Sequence, residues 1–143
     1  MNSDFGDLIL SLFSVVIFLA IVGGVIALFV YLINKSKQES QQSELAVNQI
    51  ISQLPQDKQM IFWMQYNNIK KSPTTAILWA LFLGGIGAHK FYMGQIGLGI
   101  LYLLFVWTYI PSIIAFIELF TLSGQVARYN EQKAREISML IGR

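Results

Sequence analysis

The chain has no cysteine, a single histidine (His89), and only 13% charged residues in 143 positions. Without cysteine there is no disulfide, no thiol nucleophile and no thiolate metal site, and the redox compartment stays undetermined. One histidine falls short of the several His, Cys or carboxylate ligands that a metal site needs. Soluble domains carry roughly 25% charged residues. Half that share, with 55% hydrophobic residues and a mean hydropathy of +0.55, points to a membrane protein. The net charge of +2 is small, and no basic run is interleaved with a reading surface, so nucleic acid is not expected as a partner.

What is present is apolar sequence in long runs. Residues 1–7 carry Asp4 and Asp7 but no cation, and Leu8 to Ile33 holds no charge at all. A cleaved signal peptide would want a basic start, a shorter core and a small-residue cleavage site, so Leu8–Ile33 reads as a retained transmembrane helix. Ala20-x-x-x-Gly24 and Gly23-x-x-x-Ala27 give it a small-residue face where another helix can approach, although glycine and alanine are common in such spans. Asn34-Lys35-Ser36-Lys37 closes the span, and these cations place its carboxyl end on the cytoplasmic side.

Residues 35–70 form a Gln-rich linker. Val47, Ile50, Ile51 and Leu54 recur at helical spacing, which predicts a modest amphipathic helix. Pro55 predicts the first turn of a second one. Phe62, Trp63 and Tyr66, followed by Lys70 and Lys71, have the composition of an interfacial anchor, with a docking surface for a partner as the alternative.

Ser72-Pro73-Thr74 opens the next apolar run, Thr75–Gly87, which is short for a crossing and must be tilted, sit in thinned bilayer or be shielded by protein. Ile96–Leu122 is long enough for one span kinked at Pro111, and two half-length helices hinged at Thr108–Pro111 are the other option. Between these runs lies the turn Leu83-Gly84-Gly85-Ile86-Gly87-Ala88-His89-Lys90-Phe91-Tyr92-Met93-Gly94, whose Gly84, Gly87 and Gly94 predict a tight connection. Lipid cannot hydrogen-bond its polar groups, so the turn belongs at an interface or inside packed protein. Residues 123–143 are a basic tail in which Ala127, Asn130, Ala134, Ile137 and Ile141 share one helical side, predicting a surface-lying helix.

The expected fold is therefore an all-α membrane protein of three transmembrane helices with short interfacial and cytoplasmic linker helices. The expected divisions are 1–34, 35–70, 71–122 and 123–143. An N-terminus outside and a C-terminus in the cytoplasm, as in a bacterial inner membrane, satisfies every charge except Lys90.

Residues from Lys71 to about Asn130 resemble the TM2 domain family of small two-helix membrane modules. The resemblance rests on Lys71-Ser72, Ala76-x-Leu78, the turn from Leu83 through His89, Lys90, Phe91 and Tyr92 to Gly94, Gly97-x-Gly99 and Asn130. The family commonly has Asp or His, then Arg and Phe at the turn, where this chain has His89-Lys90-Phe91. Its usual Trp-x-x-x-Asp in the second helix is here Ile114 and Glu118, so the carboxylate persists and the indole does not. The resemblance implies a two-helix architecture and brings no enzymatic activity with it. Animal members of the family are described with the turn in the cytosol, opposite to the charge-based orientation, which leaves the side of the turn open.

Neither a catalytic constellation nor a cofactor is expected, because His89 has no evident nucleophile and carboxylate beside it. His89 reads as a turn residue hydrogen-bonded locally, with pH sensing or ligation as alternatives. Glu118 is costly in an apolar span. With Thr108, Ser112 and Ala115 it forms a stripe that either lines water or packs on a helix. An ion pair with Lys90 needs both groups at one depth, whereas straight spans put them near opposite ends. Three functions follow: an assembly module that self-associates and engages a protein partner through linker or tail, a homo-oligomeric channel lined by the stripe, and a membrane-remodelling protein acting on the bilayer.

Overall fold

A computed structural model describes residues 3–142; Arg143, at the end of the basic tail, lies outside the described residues. Every regular element is helical: α1 Ser3–Ser52, α2 Gln56–Ile69, α3 Pro73–Leu83, a 3-10 turn Gly84–Ile86, α4 Ala88–Tyr92, α5 Ile96–Leu104, a 3-10 turn Val106–Thr108 and α6 Ile110–Gly142. Contacts divide the chain into two units, residues 1–33 and 34–143.

In the first unit the apolar part of α1 leaves its side chains uncovered, Leu10, Phe13 and Phe18 among them. A helix that is apolar all round and covered by no protein is one that lipid covers. Gly6–Ser52 and Ile110–Gly142 are, among the described residues, the helices long and apolar enough to cross a membrane.

The second unit joins a polar helical bundle to an apolar module. The bundle packs residues 34–52 of α1, α2 and the carboxyl half of α6 around Val47, Ile51, Leu54, Phe62, Tyr66, Ala134 and Ile137. Here α1 and α6 run parallel, with Ser43 Oγ donating to the Ala127 carbonyl at 3.3 Å and Ser123 Oγ donating to the Glu39 carboxylate. Between α1 and α2 the chain turns at Leu54-Pro55, since the residue before a proline resists the helical conformation. Gln59 Nε2 satisfies the Leu54 carbonyl at 3.0 Å.

Several expectations change. Asn34–Lys37 does not end α1, which continues to Ser52, and α6 likewise runs through the expected boundary at residue 122. Their charged segments are solvated by the bundle's own surface, so composition shifts there without a break in helix. Phe62 and Tyr66 are buried in the bundle core, so they do not form an interfacial anchor. Only Trp63 and Lys70 of that set are exposed. The tail helix is the end of α6, with Ala127, Ala134 and Ile137 buried against protein instead of lying on a membrane.

The module folds up, down, up and down. Helix α3 starts at Ser72, whose Oγ accepts from the Thr75 N–H, with Pro73 in the first turn. It runs antiparallel to α6. Asn130 clamps the Lys71 backbone at one end, accepting from its N–H and donating to its carbonyl, both at 2.8 Å. A Cβ added to Gly84 at the other end would lie 2.8 Å from Ala115 Cβ. Helix α4 doubles back along α3 until the Tyr92 hydroxyl accepts from the Ser72 N–H at 2.8 Å. Helix α5 returns beside α4, and the chain reverses again before α6.

Ile96–Leu122 is thus two helices, not one kinked span, as in the hinged alternative. The break is Phe105–Tyr109, with Tyr109 in the left-handed region at φ 58°. Pro111 initiates α6 instead of bending a span, because its fixed φ suits a first turn.

Candidate functional site

The re-entrant turn of the module depends on Gly87. Its φ of 74° lies where side chains with a Cβ are strained, and an added Cβ would sit 2.6 Å from Tyr102 Cβ. That conformation ends the 3-10 turn and starts α4 heading back into the module. Gly94, at φ 77°, turns the chain a second time. His89 and Lys90 are therefore carried inward, to the level of the middle of the apolar part of α6.

There they meet Glu118. Lys90 Nζ donates to Glu118 Oε1 at 2.6 Å, His89 Nε2 donates to Oε2 at 2.8 Å, and the Tyr102 hydroxyl donates to Oε2 at 3.0 Å. His89 is fully buried, Lys90 is 5% exposed, and the Glu118 side chain keeps 21% exposure. The Tyr102 ring meets the His89 ring edge-on at 5.5 Å and lies 5.9 Å from Lys90 Nζ. His89 Nδ1 is buried without a partner. With Nε2–H donating to a carboxylate, Nδ1 is an acceptor in the neutral ring, cheaper to leave unpaired than the N–H of an imidazolium.

The outer surface of the same module is apolar. Phe82, Leu104, Phe105, Trp107, Ile113, Phe116 and Ile117 are all exposed. Charge inside and hydrocarbon outside is the arrangement that lipid demands, since ionisable groups in the bilayer core must find partners within the protein.

Two expectations about Glu118 change with this geometry. It does not lie far from Lys90, because the turn is re-entrant and brings both to one depth. Nor do Thr108, Ser112, Ala115 and Glu118 form one stripe. Thr108 belongs to the preceding 3-10 turn, where Oγ1 donates to the Phe105 carbonyl at 2.7 Å. Ala115 is buried against Gly84, and a Cβ on Gly85 would lie 2.7 Å from Ser112 Oγ, so this side of α6 faces the chain's own turn. Ile114 points outward and takes no part in the cluster.

Phe91 and Tyr92 of the turn have separate tasks. The Phe91 ring occupies the space over Gly99, while the Tyr92 carbonyl and ring receive the Lys71 ammonium. Tyr102, which completes the shell around Glu118, was not among the residues expected at the site. The signal that bears on it is Gly99-x-x-Tyr102, a small residue one turn before an aromatic on the face that meets α4. Among the described residues no group of three His, Cys, Asp or Glu is placed to hold a metal ion.

Fold and site together define an all-α membrane protein whose apolar module is closed around a buried charge cluster. Residues 69–120, about a third of the chain, match the model of the TM2 domain. It is similar to an uncharacterized membrane protein, YozV, of Bacillus subtilis (strain 168), with 65% identity over 49 residues. Those residues are 34% of this chain and 62% of that relative, so the chain spans less than two thirds of its length. No solved structure gives a significant match.

Proposed function

We propose that this protein is a non-catalytic assembly module of a membrane. It self-associates through the small-residue face of α1 and presents the polar bundle of α1, α2 and α6 to a protein partner. The observation that carries this reading is the complete internal use of Glu118. Both carboxylate oxygens accept bonds from Lys90, His89 and Tyr102. A carboxylate so engaged braces helices; it offers neither a base to a substrate nor a ring of charge to a lumen. That same observation weighs against the channel reading, another of whose lining residues, Ala115, is buried against Gly84. Self-association is supported by α1, where a Cβ added at Gly23 or Gly24 would meet nothing within 4 Å. The backbone there is open to a second helix.

Because the chain has no cysteine, Ala20→Cys provides a clean probe. Oxidation in native membranes should yield a covalent dimer from Ala20→Cys, and Gly24→Leu in the same chain should abolish it. A monomer under all oxidising conditions, with a monomeric mass in nanodiscs, would contradict self-association through this face.

The remodelling reading also has one observation in its favour. Helix α3 has 11 residues and α5 has 9, about 16 and 13 Å of rise, each well short of a ~30 Å hydrocarbon core. With the apolar residues of both facing outward, the module favours locally thin bilayer.

A further inference from the structure

A cavity of about 540 Å³ opens where the polar bundle meets the apolar module, between α1, α2, the start of α3 and α6. Its lining includes Glu44, Asn48, Trp63, Asn67, Lys70 and Ser72. Its depth is fixed by the chain on either side. The bundle core lies beyond Tyr66, and the exposed hydrocarbon surface of the module begins at Leu78 and Trp79. The cavity, with Lys70 and the exposed Trp63 in its lining, therefore lies next to the end of the lipid-facing surface.

Two of the three charged side chains lining this cavity are uncommitted. Lys71 is spent, its ammonium bonded to the Tyr92 carbonyl and lying 4.9 Å from the Tyr92 ring and 5.2 Å from that of Tyr129. Lys70 and Glu44 are different. Both are exposed, both line the cavity, and neither forms an ion pair among the described residues, with each other or with any third group. Asn48 and Asn67 make no side-chain hydrogen bond among the described residues. The field of Glu44 reaches inward. After burial, Glu44 and then Glu131 push the Tyr66 hydroxyl up to about 12. The amino end of α3 adds partial positive charge on the lysine side, at Ser72.

We infer that this cavity binds the headgroup of a zwitterionic phospholipid with a primary amine, of the phosphatidylethanolamine class. Its phosphate lies toward Lys70 and the start of α3, and its ammonium toward Glu44. A cation and an anion that line one concave site without pairing match a ligand carrying the opposite charges at its two ends. A purely anionic headgroup would satisfy Lys70 but meet Glu44 as a like charge. A choline headgroup can neutralise Glu44 but cannot donate a hydrogen bond to it. The lipid is favoured over a soluble phosphoethanolamine compound because the cavity lies at the edge of the lipid-facing surface, where acyl chains continue onto α3. This inference goes beyond the assembly reading and does not depend on it.

The test is lipid-dependent melting of the purified full chain, delipidated in detergent and titrated separately with phosphatidylethanolamine, phosphatidylcholine, phosphatidylglycerol and soluble glycerophosphoethanolamine. Phosphatidylethanolamine should raise the melting temperature saturably and at the lowest concentration of the four. Lys70→Ala should weaken that response about ten-fold, the loss of one charge-assisted contact. Glu44→Gln should remove the preference for phosphatidylethanolamine over phosphatidylglycerol, and Gln42→Ala should change nothing. Both charged residues are exposed, so lipid-free melting should be unchanged in their variants, which separates binding from folding. Equal responses to the three lipids, or unaltered preference in Glu44→Gln, would overturn the proposal. A soluble compound as effective as the lipid would overturn its lipid source.

Discussion

At the scale of single residues, the bonds to Glu118 differ in what their loss leaves behind. Lys90→Met strands a mostly buried carboxylate without its counter-ion, which costs on the order of 3 kcal/mol. Tyr102→Phe leaves Oε2 with its His89 donor and the ion pair intact, so it should cost less, about 1.5 kcal/mol for a hydrogen bond to a charged group. Denaturant unfolding in a fixed detergent should therefore rank Lys90→Met first. A Tyr102→Phe variant less stable than Lys90→Met would mean that the hydroxyl, not the ammonium, holds the carboxylate. In the bundle, Tyr66 gives a pH dependence of known sign. Its ordinary value is 10.0 and the folded value is about 12, so between these only the folded state keeps the proton. Stability is fully present below pH 10 and falls as pH rises toward 12, by up to ~2–3 kcal/mol. Melting compared at pH 8 and pH 11 should show a larger loss for wild type than for Tyr66→Phe; equal losses would assign the alkaline effect to other groups.

At the scale of elements, the re-entrant turn is the feature on which the module depends. Gly87→Val combines an unfavourable φ with a Cβ that would overlap Tyr102, so it should abolish assembly of the folded module. Gln42→Ala, on the exposed side of α1, should be silent. Wild-type melting of Gly87→Val in detergent would show that α4 does not need its left-handed start. The turn's importance was legible in the sequence, because glycine crowding beside His89-Lys90 has few other uses in an apolar context. That it points inward was not legible. Depth depends on α4 packing along α3 through Tyr92 and Ser72, a contact 20 residues apart in sequence. The end of α5 was also hidden: Val106-Trp107-Thr108-Tyr109 is as apolar as a span, and only the left-handed Tyr109 and the following Pro111 mark the reversal. In α2, aromatics beside lysines have the same composition whether they face lipid or a bundle. The partner surface of α1 and α6 decides between the two, and it is tertiary.

At the scale of the whole molecule, short apolar helices and a buried charge cluster have consequences for the membrane around them. If α3 and α5 face lipid over about 16 and 13 Å, the purified protein should melt highest in nanodiscs of short-chain phosphatidylcholine and progressively lower as the chains lengthen. A maximum in long-chain lipid would contradict that reading and the remodelling role with it. The central claim is that the module is held from within, by Glu118 bonded to Lys90 of the same chain. A double-mutant cycle on detergent-solubilised protein, with Lys90→Met, Glu118→Gln and the pair, tests it most directly. Direct bonding predicts a coupling of about 1–3 kcal/mol, with Glu118→Gln recovering part of the stability lost in Lys90→Met. Strictly additive losses would contradict it, because two groups 2.6 Å apart in a mostly buried site cannot be removed independently.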